Sequence, residues 1–198
     1  MTSLRHNSES PGAPADAYLD AARACILDVG WRRTTLTEVA RRAGVSRMTI
    51  YRTWADMPTL LADLMTREWT GLVAATVGTS AATDPLARLV DDVVATIAAL
   101  RENELFVRIV ELDPELVLPY LLSRRGRSQQ LIIDLLGARL REAQAAGSVR
   151  DGDPVAMARG MVLAAHGFVL SAHTMLDGDV TADALDEELR TFLTRGLA

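Results

Sequence analysis

The chain contains no lysine, and all 21 of its basic residues other than histidine are arginine. We read that absence as the codon usage of a GC-rich genome rather than as mechanism. Cysteine is nearly absent as well: Cys25 stands alone, so no intrachain disulfide can form. Long apolar runs are also missing. The most apolar stretch, Met161 to Met175, is interrupted by His166, Ser171 and His173 and falls short of the roughly 18 residues that a bilayer span needs. The N-terminus, MTSLRHNSESPGAPAD, has no apolar stretch of signal-peptide type. Together these absences predict a soluble cytoplasmic chain that makes no membrane contact. No HExxH, P-loop, GxGxxG, GxSxG or CxxC pattern occurs, so no catalytic residue, cofactor or metal site is expected.

What is present is a globular composition. The 198 residues are 49% apolar, enough for one compact unit or a small domain on a larger one. The net charge is −5, but its distribution says more than its sum. Residues 30–55 hold six arginines (Arg32, Arg33, Arg41, Arg42, Arg47 and Arg52) against one acid, Glu38. Residues 56–198 carry 13 arginines against 21 acids. A small basic module on an acidic body fits a phosphate-facing surface. A chance cluster on a solvated face fits the charge alone equally well.

Residues 1–14 lack periodicity and are rich in Ser, Pro, Gly and Asn, which predicts a flexible arm. Helical spacing then begins with Ala15, Tyr18, Leu19, Ala22, Ile26 and Val29, and Gly30 stops it. Thr35-Leu36-Thr37-Glu38 has the form of a capping box, with Thr35 as N-cap and Glu38 reaching back to it. The helix so started buries Leu36, Val39, Ala40 and Ala43 and ends at Gly44. Ser46 caps a third, short helix from Arg47 to about Trp54, with Ile50 and Trp54 turned inward. Asp56 caps the next, with Pro58 in its first turn. Further helices are predicted over 57–77, 85–101, 104–111, 129–145, 154–175 and 182–195, with Pro114 and Pro119 disturbing the region between the third and fourth of these. No strand alternation and no repeat is seen. The fold class is all-α, about nine helices: a three-helix domain over 15–55, then a helical bundle over 56–198.

Two short helices, a glycine turn and a basic, hydroxyl-rich second helix make a helix-turn-helix. Val45 and Ile50 hold the second helix inward, while Arg47, Met48, Thr49, Tyr51 and Arg52 face out or sideways. At this point the stretch Gly30 to Trp54, GWRRTTLTEVARRAGVSRMTIYRTW, resembles the TetR family of bacterial regulators. The match covers about 40 residues at the family's usual N-terminal place; the rest agrees in length and helicity. The resemblance implies that Tyr51 meets a phosphate and that Thr49 meets a phosphate or a thymine methyl. It also implies that Arg47 and Met48 touch base edges, that Thr35 contacts backbone, and that Arg52 and Thr53 flank with phosphate contacts. Some positions depart from the family. Trp54 stands where Phe is common, Met57 where a lysine is frequent, Ile26 where Phe is usual, and Met48 where a glycine or small residue is frequent. Arg5 and His6 are read as a floppy tail rather than a DNA contact.

The resemblance further implies a ligand-responsive regulator, a repressor that leaves a double-stranded DNA operator when a small molecule binds. It implies a homodimer through the last two helices. The small residues Ala156, Ala158, Gly160, Ala164, Ala165, Gly167 and Ala172 allow close helix approach; Met161, Val162, Phe168, Val169 and Met175 supply bulk, and the last helix offers Leu185, Leu189, Phe192 and Leu193. A buried core helix of a monomer is the alternative for the first of these helices. A ligand pocket is implied too, with Trp69, Ile97, Arg101, Phe106, Arg108, Met161 and His166 as candidate lining, although such a stripe is more often plain core. Arg159, His166 and His173 recur every seven residues and are read as a core or interface stripe before an anion or metal site. Arg124, Arg125 and Arg127 are read as a solvated loop rather than a second DNA contact. An enzyme, or a helical interaction protein with a vestigial helix-turn-helix, are the competing readings; salt-dependent, sequence-selective DNA affinity separates the latter from a regulator.

Overall fold

The computed structural model describes residues 13–198. Among them the regular structure is all helix, without strands, and comprises three short 3-10 helices and ten α-helices: α1 (Ala13–Val29), α2 (Leu36–Arg42), α3 (Arg47–Thr53), α4 (Met57–Thr76), α5 (Pro85–Arg101), α6 (Glu104–Leu112), α7 (Leu118–Leu122), α8 (Arg127–Ala145), α9 (Pro154–Ser171) and α10 (Ala182–Leu197). The tenth helix beyond the expected nine is α7, a single turn entered through Pro119 in the proline-disturbed region. Arg5 and His6 lie outside the described residues. The chain divides into two compact units, one ending at Met65 and the other beginning at Thr66, so α4 runs from the first into the second.

The first unit is built by its caps and turns. Gly30 ends α1 with φ of 81°, a conformation that favours glycine, and its N–H donates to Ile26 O at 2.9 Å. Thr35 Oγ1 accepts from Glu38 N at 3.2 Å and starts α2. The reciprocal half of the expected capping box does not form. Glu38 turns instead to Arg41, a full guanidinium that outcompetes a backbone N–H for the carboxylate (2.6 and 2.9 Å). α2 ends in a Schellman turn: Val45 N donates to Ala40 O at 3.0 Å, Gly44 N to Arg41 O at 3.3 Å, and Gly44 takes φ of 69°. Ser46 then caps α3 by accepting from Thr49 N at 3.1 Å. The apolar interior under these turns is Leu19, Ala22, Cys25, Ile26, Leu36, Val39, Ala40, Ile50, Trp54, Leu60 and Leu64. Burial pushes the Cys25 thiol up, as expected of a core residue.

The second unit packs α5, α8, α9 and α10 around Leu89, Val90, Ile97, Leu136, Leu140, Met161, Leu189 and Leu193. α10 is fastened to α5 by two ion pairs, Arg190 to Asp91 and Asp186 to Arg101, the latter at 2.6 Å. Its far end is held by Arg150, whose backbone N–H and Nε donate to Leu197 O and Gly196 O, each at 2.8 Å. Those carbonyls belong to the last turn of a helix, where no intrahelical donor is left for them.

The stretch Pro154–Met175 corrects one expectation. Its 22 residues are long and apolar enough to cross a membrane by length and composition alone. His166, Ser171 and His173 interrupt the apolar run without much lowering its average. In this chain the stretch is α9 followed by a 3-10 turn, Ala172–Met175. α9 therefore stops before His173, so Arg159, His166 and His173 do not share one helical stripe.

Candidate nucleic-acid interface

α3 has two faces. Ile50 is fully buried and Trp54, just past its end, is 2% exposed. Met48 is 77% exposed and Tyr51 49%, and Arg47, Arg52 and Thr53 are exposed beside them. These side chains project from a helix whose cap, turn and inward anchors are all local, so the spacing of the sequence alone sets which of them point outward.

The six arginines of the basic segment are not equivalent. Arg41 is bound to Glu38, and Arg42 reaches Asp28 of α1 at 2.6 Å. Arg33 Nε donates to Val29 O at 2.9 Å. The guanidinium of Arg41 holds the Glu38 carboxyl below the usual carboxylate range. Arg47 and Arg52, by contrast, have no ion-pair or hydrogen-bond partner among the described residues, and both are exposed. Arg41 and Arg42 are thus paired with carboxylates, whereas both arginines of α3 keep their guanidinium groups uncommitted among the described residues. Asp28, lying just outside that segment, lowers the net charge that the sequence count assigned to it.

The hydroxyls divide likewise. Thr35 is exposed, but its Oγ1 already serves as cap acceptor and keeps its donor for another partner. Thr49 Oγ1 lies 2.9 Å from Ser46 Oγ and is half-buried. Thr53 Oγ1 donates to Thr49 O at 3.3 Å. Tyr51 has no ring contact among the described residues, and it is Tyr18 that packs edge-on against Trp54, with centroids 6.3 Å apart.

One residue of this unit escaped the sequence reading. Trp54 Nε1 donates to Asp63 Oδ2 of α4 at 2.9 Å. The signal was an acid set between Leu60 and Leu64, both fully buried, on the inward side of α4.

In the second unit the expected ligand residues fall into several separate environments. Ile97 and Met161 belong to the apolar core. Trp69 and Phe106 form an edge-on ring pair, 5.6 Å between centroids. Arg101 is paired with Asp186. Arg108 Nε is buried and has no hydrogen-bond partner among the described residues; two residues on from Phe106, it leaves α6 about 160° away from that ring. His166 lies 3.2 Å from Gln129 Nε2. That amide also donates to Tyr120 O, and its Oε1 accepts from Gly126 N, so the imidazole nitrogen facing it must be the acceptor. Burial lowers the His166 pKa, in keeping with a neutral ring. Of the arginine run, Arg124 lies over the Tyr120 ring at 5.0 Å, Arg125 donates to Gln130 at 3.0 Å, and Arg127 opens α8.

Residues 19–64 match the family model described as bacterial regulatory proteins, tetR family. An uncharacterized HTH-type transcriptional regulator of Mycobacterium bovis is 37% identical over 178 residues, covering 88% of this chain and 92% of the relative. Among solved structures, the Rhodococcus erythropolis transcriptional repressor QsdR superposes with a TM-score of 0.69 at 13% identity, over 95% of this chain and 96% of that one. The Bacillus subtilis regulator FadR in complex with stearoyl-CoA gives 0.63 at 18% identity, over 92% and 99%. At such identities the two structures speak to the fold alone.

Proposed function

The chain belongs to the TetR family of helix-turn-helix transcriptional regulators, and from that premise we propose that it is a repressor, held as a homodimer on a near-palindromic operator and released by a small-molecule ligand. One observation carries the DNA half: α3 buries Ile50 while leaving Arg47, Met48, Tyr51 and Arg52 exposed, with both arginines uncommitted among the described residues. Arg47 and Met48 read base edges at the groove-entering start of α3. Tyr51, Arg52 and Thr53 meet phosphates, joined by Thr35 through the donor its cap leaves over, and Thr49 meets a phosphate or a thymine methyl. Residues 15–55 form the reading domain, and residues 56–198 sense the ligand and pair the subunits. The protein acts in the cytoplasm and catalyses no reaction of its own.

The dimer reading draws on an uncovered face. Leu163 of α9 is 70% exposed and Phe192 of α10 is 64% exposed. Ala156, Gly160, Leu163 and Gly167 are all exposed along α9, and a Cβ added at Gly160 or Gly167 would meet nothing within 4 Å. A second backbone therefore has room to approach closely. Leu189 and Leu193 lie in the chain's own core and Leu185 is half-buried, so Phe192 is the most exposed large apolar group that α10 offers a partner. Two copies joined this way place their reading helices about one DNA turn apart, roughly 34 Å.

Trp69, Ile97, Arg101, Phe106, Arg108, Met161 and His166 stand as candidate ligand contacts, with Arg101 Nη1 and Arg108 Nε two buried donors that have no acceptor among the described residues. Ligand binding displaces α4 and changes the spacing of the reading helices, which weakens the operator complex.

Selecting random duplex DNA on the purified protein at two salt concentrations tests the reading. A palindrome with half-sites about one turn apart, lost steeply as salt rises, is expected. Absence of any enriched sequence at either salt would overturn it in favour of a helical interaction protein.

A further inference from the structure

We infer that Asp63 is a positioning residue for the reading helix, setting through Trp54 how α3 is rotated on the first unit and so which side chains it presents. The inference rests on α3 being the helix that meets DNA.

α3 has seven residues, too few to be stable by themselves. Its start is fixed by Ser46 and its middle by Ile50. Its end is fixed by Trp54, which is held from three sides. The backbone N–H of Trp54 donates to Ile50 O at 2.9 Å. Its ring packs edge-on against Tyr18 of α1 at an interplanar angle of 81°. Its indole N–H donates to Asp63 of α4 at 2.9 Å. The first contact closes the helix and the second fills space. The third differs in kind, because it is directional. An aromatic ring held only by packing can slide or flip in its slot, whereas an indole whose N–H is committed to a carboxylate has one orientation.

The carboxylate itself is delivered by a rigid element. Asp63 lies between Leu60 and Leu64, whose side chains are fully buried, so α4 cannot turn to withdraw it without exposing both. A hydrogen bond to an ionised acceptor is stronger than a neutral one, and removing the acceptor leaves a buried N–H unmet. Because Arg47, Met48, Tyr51 and Arg52 are long side chains on a slim helix, a small rotation at the axis becomes a larger displacement at their tips.

Four variants of the full chain test this: Trp54→Phe, Asp63→Ala, Asp63→Asn and the double variant Trp54→Phe with Asp63→Ala. Two readouts are needed. Amide hydrogen exchange over residues 47–53 in the free protein reports the latch without DNA. Affinity for the duplex enriched by the wild type reports its effect on reading. Trp54→Phe and Asp63→Ala should each speed exchange in α3 and weaken the duplex by about tenfold, with the double variant no worse than either. Asp63→Asn keeps a carbonyl acceptor and should recover most of both losses. Effects that multiply in the double variant, an Asp63→Asn no better than Asp63→Ala, or unchanged exchange in α3, would overturn the inference. If the wild type enriches no duplex, the regulator reading fails by itself and the exchange measurement still decides the latch.

Discussion

At the scale of single residues, charge on the page and charge available to a ligand differ. Arg41 and Arg42 are spent on Glu38 and Asp28, while Arg47 and Arg52 are not. Replacing Arg52 with alanine should lower the salt slope of DNA binding by about one. Replacing Arg41 or Arg42 should change it by much less, and a binding titration over a salt series separates them from Arg52. Arg47→Ala should instead relax discrimination at one position of each half-site. Tyr51→Phe removes only a hydroxyl and should weaken all duplexes alike by about 1 kcal/mol; unchanged affinity would end its phosphate role. The outward set on α3 was legible in the sequence because helical spacing and one buried isoleucine suffice to orient seven residues. The pairing of Arg42 with Asp28 was not, since it joins two helices whose crossing no local pattern encodes. Nor was Asp63, whose partner is nine positions away.

At the scale of elements, caps were the readable part. Thr35, Ser46 and Asp56 stand where side-chain acceptors are needed, and each does accept a backbone N–H. Gly44 was readable for the same reason, since only the turn that needs a positive φ explains a glycine there. The region around Pro114 and Pro119 was not, because proline forbids a continuous helix without saying what replaces it; here that is a 3-10 turn and the short α7. The junction of α7, α8 and α9 yields a prediction of its own. His166 is neutral and accepts from Gln129, and burial holds its pKa below the ordinary value of about 6.5. The unfolded chain therefore binds a proton that the folded chain refuses. Stability is full above that ordinary value and falls as pH drops through it toward the lower folded value. Thermal melts between about pH 7.5 and 5 should show the fall, and His166→Gln should flatten it. Asp56, Asp84 and Asp177, whose pKa values are lowered chiefly by hydrogen bonds, lose their contributions only at more acid pH.

At the scale of the whole molecule, an apolar surface is left without cover. Burying a leucine or phenylalanine side chain stabilises by about 1.5–3 kcal/mol, so a charge placed there should be costly to pairing and cheap for the chain alone. Leu163→Glu and Phe192→Glu should each give a folded monomer by sedimentation that no longer selects a palindrome. A dimer that survives both would move the interface elsewhere. The helix that carries this face has a second consequence, for the chain before it folds. Machinery that sorts emerging polypeptides toward a bilayer reads composition, and the stretch from Pro154 to Met175 passes on length and apolar content. Its sole formal charge is Arg159, exposed in the folded chain. An arginine near the centre of a candidate span opposes insertion by about 2.5–3.5 kcal/mol, and by less toward an end. Arg159→Leu should therefore send part of the newly made protein into the membrane fraction of the cell. On this view Arg159 serves as an address label, telling the synthesis machinery that the segment is not a membrane anchor before any partner arrives to cover it.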